Sequence, residues 1–213
     1  MTLELERADL ALDTTFGGLT VRFDRTVLRP RDWTIAQTDK AVRLLSTLAA
    51  GPVLELCAGV GHIGLAAIAQ RPRLLVQVDS SERACSFAEA NAATAGLSEF
   101  VDVRCGSLEE ALDPREQFAL VIADPPWVRQ KEVGLYLDDP ATAIDGGPEG
   151  LDVARSCLAL MRKHLLPHGA GILQLGDIDQ VVALYGELPA YGLRSVSVDA
   201  YAGQGVLMEL RRV

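Results

Sequence analysis

The sequence has no C-x-x-C pair, no long apolar run and no excess of positive charge, and each absence removes a class of protein. Its four cysteines, Cys57, Cys85, Cys105 and Cys157, stand at wide spacings, so neither a disulfide framework nor a zinc ribbon is implied; buried thiols are the plain expectation. The three histidines, His62, His164 and His168, are too dispersed to suggest a metal site by spacing, and no metal is expected. Apolar stretches are broken by Gly, Pro or charge well before the roughly 18 residues that a membrane helix needs. The start, Met1 to Glu6, carries acids where a secretory leader would begin basic. The expectation is a cytoplasmic protein with no membrane partner. With 20 Lys and Arg against 29 Asp and Glu, a net charge of −9 argues against a broad surface for long nucleic acid. Weight shifts to protein or small-molecule substrates. Nothing in the sequence speaks to the oligomeric state.

What is present is 213 residues, 49% hydrophobic, enough for one packed core and a small appendage. Short apolar runs alternate with helical stretches, which argues for a parallel sheet flanked by helices. Strands are expected over 53–56, 74–79, 101–104, 120–123 and 171–175, with helices near 63–71, 82–95, 107–112 and 150–165. Residues 196–201 and 206–211 look like a closing antiparallel hairpin, joined by Ala202-Gly203-Gln204-Gly205. Upstream, residues 19–24 and 26–28 suggest a short hairpin and 37–49 a helix. Residues 1–36 read as an extension or lid on a main domain of residues 37–213, being too few to bury a core of their own.

Val53 to Gly64 runs from a strand through a glycine-rich turn into a helix, and glycines there let a ligand approach the main chain at a helix N-terminus. Gly59, Gly61 and Gly64 satisfy G-x-G-x-x-G, and Asp79 lies 20 residues after the first of them, as a dinucleotide site would require. No Tyr-x-x-x-Lys or comparable acid–base pair follows, which weakens a dehydrogenase reading. Glu55, four residues before Gly59, gives an acidic-x-x-x-Gly-x-Gly spacing that resembles motif I of class I S-adenosylmethionine-dependent methyltransferases. A carboxylate there could position a cationic methionine group; the alternative is an acid satisfied by loop N–H groups. Asp79, ending its strand, is suited to the two hydroxyls of a ribose; alternatively, Asp79 or Ser80 caps the next helix. Cys105-Gly106-Ser107-Leu108 falls where such folds contact an adenine ring.

Asp124-Pro125-Pro126-Trp127, directly after an apolar strand, is the most specific string in the chain. Two consecutive prolines hold the backbone extended and donate no hydrogen bonds, so the Pro125 carbonyl beside the Asp124 carboxylate can offer paired acceptors to an –NH2 group. Holding both N–H hydrogens would orient the nitrogen and stabilise positive charge developing on it, while Trp127 stacks on the planar group. No strong general base accompanies the string. Its alternative reading is a rigid turn covering the sheet edge.

Together these residues resemble the class I methyltransferases of the HemK or release-factor glutamine N5 group and the wider N6-adenine group, whose signature is Asn/Asp-Pro-Pro-aromatic. The likeness extends to Pro30-Arg31-x-x-Thr34, to Asp79-Ser80-Ser81 with Ala90-Asn91-Ala92, and to Ala143 through Leu151. It implies a Rossmann-like α/β fold with a seven-stranded sheet, helices on both faces and an antiparallel C-terminal hairpin. It implies N-methylation of an amide or amine, with S-adenosyl-L-methionine as cofactor. Cofactor contacts are implied at Thr34, Glu55, Cys57, Ala58, Gly59 and Gly61, and further at Asp79, Ser80, Ser107, Leu108 and Asp124. Asp124, Pro125, Pro126 and Trp127 would be catalytic, with Trp33 and Tyr136 lining the acceptor pocket beside Trp127. The chain departs from the glutamine enzymes in carrying Asp124 for Asn and Trp127 for Tyr, closer to certain adenine N6 enzymes. Few residues precede Pro30, so the group's helical N-terminal substrate domain is expected to be lacking and a release factor is a less natural acceptor. The alternatives are adenine N6 methylation of RNA or DNA and a silent cofactor-binding subunit.

Overall fold

The computed structural model describes residues 10–201 and 203–213. The described chain enters through an antiparallel hairpin of β1 (Leu12–Phe16) and β2 (Leu19–Phe23). Gly17 and Gly18 connect the strands with φ of 56° and 84°, the two positive values that a tight two-residue hairpin turn demands. This corrects the expected pairing of 19–24 with 26–28. Residues 24–28 are turn and loop instead, because the Asp24 carboxylate accepts hydrogen bonds from the Thr26 N–H and hydroxyl at 2.8 and 2.6 Å, fixing a local turn in place of a strand.

A single 3-10 turn at Asp32–Thr34 leads into α1 (Ile35–Leu45), which begins two residues before its expected start and ends four before its expected end. The alternating core then follows: β3 (Val53–Leu56), α2 (His62–Gln70), β4 (Leu75–Asp79), α3 (Glu82–Thr94), β5 (Val101–Cys105) and β6 (Phe118–Ala123). After the loop beyond β6 come a one-turn α4 (Ala141–Ile144), α5 (Asp152–His164), β7 (Leu165–Leu175) and α6 (Ile178–Tyr185). β8 (Leu193–Tyr201) and β9 (Gly205–Arg212) close the chain. The seven-stranded sheet has the order β5-β4-β3-β6-β7-β9-β8. β9 runs antiparallel to both neighbours, and the other pairings are parallel. The α/β architecture and the closing hairpin are those expected.

Every residue of β6, Phe-Ala-Leu-Val-Ile-Ala, is buried, as a central parallel strand covered on both faces requires. On one face its neighbours include Leu158 and Met161 of α5 and Leu184 of α6. On the other, Phe16, Val21 and Phe23 of the hairpin pack with Ala41 of α1 and Ile63 and Ala66 of α2. The N-terminal extension thus shares the main core. Two further expectations are corrected. Residues 107–112 form turns, with the Ser107 hydroxyl accepting the Glu110 N–H at 3.3 Å; Pro114 soon follows and would interrupt a longer helix. α6, which was not expected, is capped by Asp177, whose carboxylate accepts the Gln180 N–H at 2.9 Å.

Candidate active site

The turn after β3 is shaped by backbone conformations that favour glycine. Gly59 and Gly61 have φ of 54° and 79°, and Gly61 is the N-cap of α2. A Cβ on Gly61 would run into the Gln77 side chain, whereas one on Gly59 would meet no protein atom. The Gly59 N–H donates to Asp79 Oδ2 at 2.7 Å, and Asp79 Oδ1 accepts from the Ser81 N–H at 2.9 Å. Ser81, rather than Asp79 or Ser80, is the N-cap of α3, accepting the Ala84 N–H at 3.3 Å. Asp79 is left half-buried at the carboxyl edge of the sheet, with lone pairs to spare.

A cavity of about 240 Å³ opens over this edge, walled by Cys57, Ala58, Gly59, Asp79, Ser80, Leu108 and Asp124. Thr26, Val27, Leu28, Arg29 and Thr34 bring the N-terminal extension against it. Gly61 and Ser107 are not on its wall. Neither is Glu55, which is 2% exposed and lies under the turn. Its Oε1 accepts the Gly64 N–H at 3.1 Å and its Oε2 accepts from Gln77 Nε2 at 2.6 Å, so it ties the start of α2 to β4. Burial pushes its carboxyl up to about 7 against the lowering effect of those bonds. Cys57 is the one non-glycine residue with positive φ, 56°, among the described residues.

At the end of β6 the Asp124 N–H reaches the Leu56 carbonyl at 3.4 Å, placing the carboxyl beside the glycine turn. Burial raises its pKa to about 6, and the polar Gln37 side chain opposes the rise. Beyond it lies a second cavity, of about 280 Å³, with Trp33, Trp127 and Tyr136 on its wall together with Pro125, Gly203 and Gln204. Arg31, Thr34, Asp124 and Pro126 line both cavities. The structure therefore gathers most of the expected site residues around one junction.

Side chains not singled out from sequence hold the second cavity together. Gln180 Nε2 donates to the carbonyls of Trp127, Glu149 and Gly150 at 2.8, 3.1 and 3.2 Å, and its Oε1 accepts the Gly176 N–H at 2.7 Å. One buried carboxamide thus joins three segments. Asp177 followed three residues later by Gln180 is a helix-start pattern that could have revealed it. Gly176 lies against the Trp127 ring, leaving no room for a Cβ. The loop carrying Ala143 to Leu151 is zipped to the Trp127 segment by Val128 N–H to Ile144 O and Gly146 N–H to Val128 O, both 2.9 Å. Arg31 pairs with Asp139, Nη2 to Oδ2 at 2.6 Å, and its guanidinium lies 5.6 Å from the Trp33 ring centre. That pair joins the extension to the loop beyond Trp127.

Among the described residues, no group of three or more His, Cys, Asp or Glu is placed to hold a metal ion, and no helix is long and apolar enough to cross a membrane. The first cavity suits an adenosine-bearing cofactor with a cationic tail: open space above Gly59, a half-buried carboxylate at Asp79 and a second carboxylate at Asp124.

A parallel sheet closed by an antiparallel pair, with its cavity at the carboxyl edge, is the architecture of class I methyltransferases. The family model of the methyltransferase small domain matches residues 33–139, and the chain belongs to that family. A release factor glutamine methyltransferase of Gloeobacter violaceus is 34% identical over 182 residues, covering 82% of this chain and 63% of the relative. A ribosomal protein uL3 glutamine methyltransferase of Bordetella pertussis is 31% identical, covering 83% of this chain and 61% of the relative. The chain therefore spans about three fifths of the length of these relatives. Among solved structures, the hMettl16 catalytic domain in complex with MAT2A 3'UTR hairpin 1 superposes with a TM-score of 0.72 at 14% identity, covering 99% of this chain and 78% of that one. The ribosomal protein L11 methylase of Lactobacillus delbrueckii subsp. bulgaricus gives 0.66 at 16% identity, with 89% and 83% covered. These two likenesses concern the fold alone.

Proposed function

We propose that the chain is an S-adenosylmethionine-dependent N-methyltransferase acting on an amide or amine nitrogen of a protein side chain or small molecule. The observation that carries this reading is the shared wall: Asp124 and Pro126 face both cavities, as a reaction between ligands held on either side requires. The cofactor, when bound, supplies an electrophilic methyl group. Asp79 holds the ribose hydroxyls, with Ser80 and Leu108 beside the base. The Cys57-Ala58-Gly59 main chain, Thr34 and Asp124 border the methionine end. On the acceptor side the Asp124 carboxylate takes an N–H of the nitrogen and faces the positive charge it gains, and Trp33, Trp127 and Tyr136 enclose the planar group. The nitrogen's surplus proton then leaves to solvent. Thr26 to Arg31, in the N-terminal extension, act as the lid.

The two relatives are a release factor glutamine methyltransferase and a ribosomal protein uL3 glutamine methyltransferase, which favours a protein side chain over a small molecule as acceptor here. Asp-Pro-Pro-Trp keeps adenine N6 methylation as the second reading, opposed by the net charge of −9. Calorimetry with S-adenosylhomocysteine tests the cofactor: wild-type protein binds it and Asp79→Ala weakens binding at least about tenfold, since a charge-assisted contact is worth roughly 1.5–3 kcal/mol. Transfer from labelled cofactor, offered separately to glutamine peptides and to RNA, is expected in the peptide arm. Absence of any S-adenosylhomocysteine binding would sink the proposal, and label in RNA alone would replace it with the second reading.

A further inference from the structure

Beyond Trp127 the chain forms a 3-10 segment, Gln130–Leu135, and then a turn that carries Tyr136 onto the wall of the acceptor cavity. On either side of that tyrosine stand two leucines, Leu135 at 77% and Leu137 at 90% exposed, the latter the most exposed large apolar side chain among the described residues. Apolar side chains scattered singly over a surface are ordinary; two that flank a residue of the site are not. The main chain fixes them there. The Gln130 N–H donates to the Gly147 carbonyl at 2.9 Å, the Tyr136 N–H to the Val133 carbonyl at 3.0 Å and the Asp139 N–H to the Tyr136 carbonyl at 3.2 Å. Asp139 closes the turn on the N-terminal extension through its pair with Arg31. The exposed apolar side chains of α6 and β8 line neither cavity.

The charges around the turn set the kind of partner. Arg31 is the one cation on the acceptor wall, and Asp139 takes its charge. Arg129 pairs with Asp177 at 2.8 Å and Lys131 lies 3.8 Å from Glu132, so each cation of the 129–139 segment already has an acid beside it. Arg29 lines the first cavity and not the second. Asp138, next to Leu137, is exposed. A phosphate backbone finds no uncommitted cation at this mouth, whereas a peptide finds two apolar side chains and an exposed acid. Neighbouring Cα atoms are about 3.8 Å apart and an extended peptide advances about 3.3–3.6 Å per residue, so a side chain gripped by either leucine belongs within roughly three residues of the one entering the cavity. A small molecule held inside the cavity does not reach them.

We infer that Leu135 and Leu137 form a docking ledge for an extended segment of a protein acceptor, one that carries an apolar side chain within about three residues of the residue to be methylated. The inference rests on the proposed N-methyltransferase reading for the identity of the cavity, but its test reads binding. Leucine methyl resonances, with Leu135 and Leu137 assigned from their loss in Leu135→Ser and Leu137→Ser, are followed in the presence of S-adenosylhomocysteine as short peptides are added. Each peptide has a central glutamine in a Gly-Ser background, and a leucine is walked through the neighbouring positions on either side. A leucine at one or more of these positions tightens binding about tenfold over the parent peptide and shifts the Leu135 and Leu137 signals, since burying such a side chain is worth about that much. The double variant Leu135→Ser with Leu137→Ser loses that advantage, while its affinities for the parent peptide and for S-adenosylhomocysteine stay within about twofold. Both side chains point to solvent, so the fold is kept, and the remaining methyl resonances verify it. The inference is overturned where no leucine position improves binding, or where the double variant binds the leucine peptides as wild type does. It is overturned equally where the substitutions weaken only an adenine-containing RNA hairpin, or turn a wild-type dimer into a monomer, which would give the ledge to a second copy of the chain. Methyl transfer to the bound peptides is measured separately. Binding without transfer sinks the proposed reaction and leaves the ledge standing, so the two failures are separable.

Discussion

The two cavities share a wall but are built by opposite means. The first is shaped largely by main chain: a glycine turn, the start of α2 and an Asp79 carboxylate fixed by backbone N–H groups. The second is shaped by large side chains from separate loops, Trp33, Trp127 and Tyr136, held by Gln180 and by the Arg31–Asp139 pair. A wall of backbone admits few substitutions, because each added Cβ meets either a neighbour or the ligand. Side-chain walls can be exchanged without disturbing the sheet. The contrast predicts that cofactor binding is fixed by the fold while acceptor choice is tuned residue by residue.

The sharpest test lies on the shared wall. Asp124→Ala should lower methyl transfer on the order of 10²–10³-fold, the usual cost of removing one group that faces developing charge. Because Gly59 and Asp79 remain, S-adenosylhomocysteine affinity should change only a few-fold. Single-turnover transfer and calorimetry measure the two quantities. A variant that loses both equally would mean that the cavities are not separable. In wild-type protein, activity should fall as pH drops through about 6, where Asp124 becomes protonated.

Next in size is the buried acid under the first cavity. Glu55 titrates near 7 in the folded chain against 4.5 as the ordinary value, so the fold binds this proton more tightly than the unfolded chain does. Its contribution to stability is full below 4.5 and is lost as pH rises through 7. The difference corresponds to about 3 kcal/mol. Glu55→Gln removes it, leaving the same-signed contribution of Asp124, and Gln77 Oε1, now without a partner, can accept the new amide. Urea denaturation from pH 5 to 8 should show a decline about 3 kcal/mol smaller than wild type, with the variant the more stable protein at pH 8. An unchanged slope would show that Glu55 is charged when buried and that this wall is not built as argued.

The same contrast explains what could be read in advance. The strand–turn–helix segments and Asp124-Pro125-Pro126-Trp127 were legible because local sequence dictates them: apolar runs of strand length, glycines where φ is positive, prolines where the chain must stay extended. Glu55 had the right spacing, yet its direction could not be read, since Gln77 and Gly64 decide it from elsewhere. Gln37 and Gln174 are 137 residues apart and look like any polar residues in amphipathic segments. The hairpin was misplaced because Val27 and Leu28 suited a strand while Asp24 had already committed the chain to a turn.

A smaller effect is expected at the side-chain-built cavity. Arg31→Met frees the extension from Asp139, a partly exposed pair with side chains 32% and 13% accessible, and should cost about 1 kcal/mol or less. Amide exchange across residues 26–31 should quicken, and acceptor KM should rise several-fold with kcat little changed. An unchanged KM would mean that the extension does not help to form the acceptor wall.

The smallest effect tests whether the main-chain wall is at its optimum. Cys57 holds φ of 56° at a position in the turn where glycine would be unstrained, which costs a side-chain-bearing residue about 1–2 kcal/mol. Cys57→Gly relieves that strain, but it adds freedom to the unfolded chain, worth about 0.4–1 kcal/mol, and withdraws a thiol packed against the core. The opposing contributions should leave stability within about 1 kcal/mol of wild type by urea denaturation, with S-adenosylhomocysteine affinity unchanged. Cys57→Val puts a β-branched side chain at the same positive φ and should be clearly less stable. If valine were tolerated as well as glycine, the turn would be adaptable, and the distinction between a wall fixed by backbone and one tuned by side chains would fail at the residue where it is most exposed to test.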